Sequence, residues 1–61
     1  MIRQFKFQIL FHDFIDAVSC CYRKNKNGAN YCVLDSEFGD SWYVADIDSV
    51  RDAGFQYTIY F

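Results

Sequence analysis

Ile2-Arg3-Gln4-Phe5-Lys6-Phe7-Gln8-Ile9-Leu10-Phe11-His12-Asp13-Phe14-Ile15-Asp16-Ala17-Val18-Ser19-Cys20-Cys21 holds two periodicities in succession, and the change between them decides the fold. Up to Phe11 the chain alternates. Phe5, Phe7, Ile9 and Phe11 fall on one side, and Lys6, Gln8, Leu10 and His12 on the other, the period-two pattern of a half-buried strand. From Phe14 the apolar positions Phe14, Ala17, Val18 and Cys21 recur at i, i+3, i+4 and i+7, which is one face of a helix. Asp13 stands where an N-cap side chain would accept free backbone N–H groups. Asp16 near the start and Arg23 and Lys24 near the end suit the helix dipole. Asn25-Lys26-Asn27-Gly28-Ala29-Asn30 predicts the stop and a loop.

Downstream, Tyr31-Cys32-Val33-Leu34 reads as a short strand. Asp35-Ser36-Glu37-Phe38-Gly39-Asp40 is a turn in which Gly39 is free to take a positive φ. Ser41-Trp42-Tyr43-Val44-Ala45-Asp46-Ile47 reads as the returning strand. Asp48 predicts an N-cap for a short helix over Ser49–Ala53, closed by Gly54, and Phe55–Phe61 alternates again. The order β-α-β-β-α-β over a single domain, residues 1–61, predicts an α+β fold. Its expected form is a compact ferredoxin-like, four-stranded antiparallel sheet with both helices on one face, the second of them short. The core expected from these faces is Phe5, Phe7, Ile9, Phe11, Phe14, Val18, Cys21, Tyr43, Ala45, Ile47, Val50, Phe55, Tyr57 and Ile59.

Composition narrows the function classes. With 52% hydrophobic residues in 61, the chain is not a disordered tail. No apolar run approaches the roughly 18 residues of a membrane span, and residues 1–11 lack the features of a signal peptide. Three cysteines, two of them adjacent, do not make a disulfide frame. Reduced thiols in the cytoplasm are the expectation, the host-cell cytoplasm for a phage product. A core of this size seldom supplies more than roughly 3–5 kcal/mol, so association with a partner or with a second copy is expected.

The predicted sheet has one uncovered face, bearing Leu10, Trp42, Val44 and Tyr60, more apolar surface than an isolated chain needs, and Trp and Tyr are enriched at binding hot spots. Charge is unevenly placed although the formal net is only −2. Residues 1–34 hold Arg3, Lys6, Arg23, Lys24 and Lys26 against Asp13 and Asp16, whereas residues 35–61 hold Arg51 against Asp35, Glu37, Asp40, Asp46, Asp48 and Asp52. Carboxylates two residues apart on an extended chain lie about 6.6 Å apart on one side, a spacing that resembles the charge row of a nucleic-acid backbone. Taken singly, each acid also suits a turn or a cap. The partner-binding candidates are thus Asp35, Glu37, Asp40, Trp42, Asp46, Asp48, Tyr60 and Leu10, facing a protein with a basic, nucleic-acid-binding or defence function. Direct nucleic-acid binding is disfavoured by an isoelectric point near 4.9 and by the lack of aromatic-glycine signatures.

Catalytic constellations are sparse. His12, Cys20, Cys21 and Cys32 have poor spacing for zinc, a Cys–His pair has no orienting third group, and no phosphate loop or dinucleotide turn occurs. A non-enzyme without cofactor or metal is expected. In size and composition, though in no motif, the acidic-aromatic chain resembles the small accessory inhibitors that bacteriophages direct against host defence or nucleic-acid enzymes. That resemblance implies a protein-binding inhibitor acting by blocking, with nucleic-acid mimicry as one means. The alternative is a self-associating structural or regulatory homodimer that uses the open sheet face.

Overall fold

The computed structural model describes residues 5–61, so the part of the first alternating segment on residues 1–4 lies outside the described residues. The elements are β1 (Ile9–Phe11), α1 (Phe14–Lys26), β2 (Tyr31–Asp35), β3 (Trp42–Asp46) and α2 (Ile47–Asp52). The sheet is three-stranded in the order β1-β3-β2, and both pairings are antiparallel. The expected four-stranded ferredoxin-like sheet is therefore not formed. Three strands pair, with β3 between β1 and β2. The C-terminal segment, expected as a fourth strand, makes one isolated bridge, Thr58 to Val33, on the outer side of β2.

Side chains explain both shortfalls. The first strand shrinks from the N-terminal side because Gln8 accepts the Phe5 N–H through Oε1 at 2.8 Å, and Phe7 turns the backbone at φ 57°. The C-terminal ladder stops after one rung because Asn25 occupies the next. Val33 and Thr58 exchange N–H···O bonds of 2.8 and 2.9 Å, so the following antiparallel rung would join Tyr31 to Tyr60. There the Asn25 amide is inserted instead. Its Nδ2 donates to the Tyr31 carbonyl at 2.9 Å and to the Tyr60 carbonyl at 2.8 Å, while its Oδ1 accepts the Tyr31 N–H at 2.8 Å.

Of the expected helix ends, the Asp13 cap and the Gly54 stop form as read, while the break at Asn25 and the Asp48 cap do not. Asp13 caps α1 by accepting the Asp16 N–H at 3.2 Å. The helix runs on through Asn25 to Lys26 before stopping at Asn27 and Gly28. The cap of α2 is Asp46 rather than Asp48, and it accepts from the Ser49 N–H at 3.2 Å. No residue separates β3 from this helix. Gly54, at φ 81°, sits just beyond Ala53. Gly54 N–H donates to Arg51 at 3.0 Å and Phe55 N–H to Val50 at 3.3 Å, the paired bonds of a Schellman stop with Val50 and Phe55 meeting in one apolar cluster.

Both faces of the sheet are covered, which overturns the expectation of two helices on one face and an open face opposite. On one face Val33 and Val44 pack under Ala17, Cys20 and Cys21 of α1, with Phe11, Tyr31, Trp42 and Tyr60 around them. On the other, Cys32, Leu34, Tyr43 and Ala45 pack with Val50, flanked by Phe5, Ile47, Phe55, Tyr57 and Ile59. The cause is register. Phe11 lies opposite Trp42, and Leu10 opposite Tyr43, so Phe11 shares its face with Trp42 and Val44 instead of with Tyr43. A one-residue offset moves every side chain to the other side. Of the expected core, Phe7, Ile9 and Phe14 are exposed, while Ala17, Cys20, Cys32, Val33, Leu34 and Val44 are buried in addition.

Candidate interaction surface

Antiparallel pairing gathers a distinct set of residues at one end of the sheet. Phe11 and Asp35 both lie opposite Trp42, so the end of β1, the start of α1 and the β2–β3 turn meet there. Phe14 closes the group, its ring edge-on to Trp42 at 5.4 Å. The two segments that build this end, residues 10–16 and 34–42, hold Asp13, Asp16, Asp35, Glu37 and Asp40 and no lysine or arginine. Four apolar side chains stand out of it: Leu10 is 38% exposed, Phe14 41%, Ile15 68% and Phe38 55%.

The turn that carries Phe38 is held from below. Ser36 and Ser41 are buried and their hydroxyls bond at 2.6 Å. The Ser36 N–H donates to the Ser41 carbonyl at 3.0 Å, and Ser36 Oγ accepts the Phe38 N–H at 3.1 Å. Gly39 supplies the φ of 85° that brings the chain round. Glu37 is drawn back over the sheet, where it accepts the Tyr43 hydroxyl at 2.6 Å.

Of the sequence candidates, Asp35, Glu37, Asp40 and Trp42 come together at this end, with Leu10 on the neighbouring strand. Trp42 is half-buried against α1 and does not stand on an open face. The others are elsewhere. Asp46 and Asp48 lie at the far end of β3, about 13 Å of strand away, one capping α2 and the other paired with Arg51 at 2.5 Å. Tyr60 packs half-buried on the α1 side, its carbonyl on Asn25. The carboxylates thus form two groups, not one row. Phe38 and Ile15 were not among the candidates, and Phe14 was placed in the core. The signal for Phe38 was its position between Glu37 and Gly39-Asp40 in a turn, where an aromatic has little to pack on.

Cys20, Cys21 and Cys32 are free of disulfides and buried. Desolvation pushes the Cys32 thiol up to about 12 and raises Cys21 as well, against the opposing hydrogen bonds from its surroundings. Thiols held protonated in this way are poor nucleophiles. No group of three or more His, Cys, Asp or Glu is placed to hold a metal ion among the described residues, and no described helix is long and apolar enough to cross a membrane. A solvent-open groove of about 490 Å³ follows the parting of β2 and the C-terminal segment beside Asp35 and Gln56.

No protein-family model matches the chain, and no curated protein or solved structure matches it significantly.

Proposed function

We propose that this chain is a small non-enzymatic protein-binding module that docks the acid-and-aromatic end of its sheet on a basic partner. The observation that carries the reading is the exposure of Phe14, Ile15 and Phe38 amid Asp13, Asp16 and Asp40. Aromatic anchors surrounded by charge are the usual composition of a hot spot and its rim. Carboxylates steer such a surface toward lysine- and arginine-rich surfaces and suppress other partners. A phosphate-binding groove of a nucleic-acid-acting protein has that chemistry, so occupying the groove is the mode of inhibition proposed. Asp46, Asp48 and Tyr60 lie away from this end, and the clusters packed on both sheet faces give self-association through an open face less support than this reading.

The test is capture of partners from a bacterial lysate with tagged wild type, Phe38→Ala and the double variant Asp16→Lys plus Asp40→Lys, each first shown to be folded by circular dichroism. The reading expects a basic protein that is captured by wild type, lost with both variants, weakened by salt and displaced by added nucleic acid. Capture that is indifferent to both variants and to salt refutes it.

A further inference from the structure

The three-stranded sheet ends on β1, and the bonds at its opposite edge fix how that strand is turned. Val33 exchanges both backbone bonds with Thr58, so it faces away from β3. Alternation then turns its partner Val44 toward β1, where it meets Ile9. The Asp46 N–H, two residues on, donates to the Lys6 carbonyl at 3.1 Å, the same side of β3. Ile9 and Phe11 therefore direct their backbone groups at β3. The Leu10 N–H and C=O point out of the sheet, and no described strand lies beyond them. Along this edge Ile9 and Leu10 are exposed, while the Phe7 ring turns back over the sheet to within 6.1 Å of Tyr31.

We propose that the β1 edge pairs with the β1 edge of a second copy about a two-fold axis at Leu10, joining two sheets into one of six strands. The occupant is a second copy because the edge is complementary to itself. A two-fold axis reverses chain direction, as an antiparallel ladder requires, and the Leu10 N–H of each copy then reaches the Leu10 carbonyl of the other. The same reversal brings Lys6, at one end of the exposed segment, toward Asp13 at the other end, twice over. Leu10 of the two copies meets at the axis, and Ile9 of each lies opposite Phe11 of the other. A stable pairing needs about 600 Å² from each chain, roughly a seventh of the 4145 Å² surface. An unpaired edge with apolar flanks is the template for such pairing, and its three-residue length limits the strength.

This seam borders the acid-and-aromatic end at Leu10 and Asp13. Its test leaves Phe14, Ile15, Phe38 and every carboxylate unaltered and reads mass alone, so its failure and the failure of the partner reading are distinguishable. The 61-residue chain is within reach of chemical synthesis, so Leu10 is replaced by N-methyl-leucine, which puts a methyl group in place of the outward N–H and keeps the side chain. Sedimentation equilibrium from about 5 µM to about 1 mM spans the weak affinities such an edge allows. Wild type is expected to rise with concentration from 7.2 kDa toward twice that mass. The N-methyl chain is expected to stay single with an unchanged circular dichroism spectrum, and Lys6→Glu to dimerise at least tenfold more weakly. A wild type that stays single throughout the range overturns the proposal. An N-methyl chain that is folded and dimerises like wild type overturns it too.

Discussion

Replacing Asn25 by alanine removes the wedge between β2 and the C-terminal segment. Three bonds of 2.8–2.9 Å are lost at once, leaving the Tyr31 N–H, the Tyr31 carbonyl and the Tyr60 carbonyl without that partner. At about 1 kcal/mol net for each intramolecular hydrogen bond the loss is about 3 kcal/mol. Tyr31 and Tyr60 are only half-buried, so water recovers part of it, and alanine returns about half a kcal/mol in helix propensity. The expected cost is about 2 kcal/mol. A chain of this length has roughly 3–9 kcal/mol in all, so the variant is expected to lose a large share of its stability. Urea unfolding followed by tryptophan fluorescence reads it. With a slope of about 1 kcal/mol per molar urea for so small a chain, the midpoint falls by about 2 M. Asn25→Asp separates the bonds from the packing, because it keeps an acceptor for the Tyr31 N–H but sets a carboxylate oxygen against two carbonyls. It is expected to be at least as damaging as alanine at pH 7 and to recover below about pH 4, where the protonated acid again donates. An alanine variant within about 0.5 kcal/mol of wild type, the ordinary range for a surface change, or an Asp variant as stable as wild type at pH 7, would show that the wedge is decorative.

Two further outcomes follow from the interior. Cys32 is raised to about 12 in the folded chain, above the ordinary 9.0, so the unfolded chain loses this proton first as pH rises. Stability is fully present below pH 9 and drains between about 9 and 12, by up to about 1.4 kcal/mol for each pH unit. Urea midpoints at pH 8, 9 and 10 check this, and the fall should be shallower in Cys32→Ala; equal falls in both chains refute it. At the hairpin mouth, Ser36→Ala loses both the Ser41 hydroxyl and the Phe38 N–H, whereas Ser41→Ala loses only the first. Ser36→Ala is expected to cost about 2 kcal/mol and Ser41→Ala about 1, with the double variant less than their sum because one bond is shared; thermal melts of the three decide.

How far the fold was legible depended on whether the signal was local. The Asp13 cap, the Gly54 stop and the turn around Gly39 rest on neighbours within a few residues, and they stand in the structure, whereas the break expected at Asn25 comes two residues later. Alternation over Phe5–Phe11 was equally clear, yet the Gln8 side chain competes for the Phe5 N–H and folds the first part into a turn. The faces were lost to pairing register, since nothing near Phe11 says whether Trp42 or Tyr43 stands opposite. Cys32-Val33-Leu34 and Tyr43-Val44-Ala45 did hold the clue: unbroken apolar triplets, not alternating ones, belong to a sheet buried on both sides. At the candidate surface the acids of the β2–β3 turn were legible as turn residues. The exposure of Ile15 and Phe38 was not, because whether an apolar side chain finds a neighbour depends on contacts far along the chain.

Those two triplets also set how the sequence can drift. In a sheet sheltered on one side, every second position is open to polar replacement, and variation accumulates in stripes. Here all six central positions are sealed, from Cys32 at 0% to Leu34 at 4%, so a saturation library should return two solid blocks of intolerance with no striping between them. So small a protein has placed the whole middle of its sheet beyond the reach of neutral change, and its variation is left to the rim.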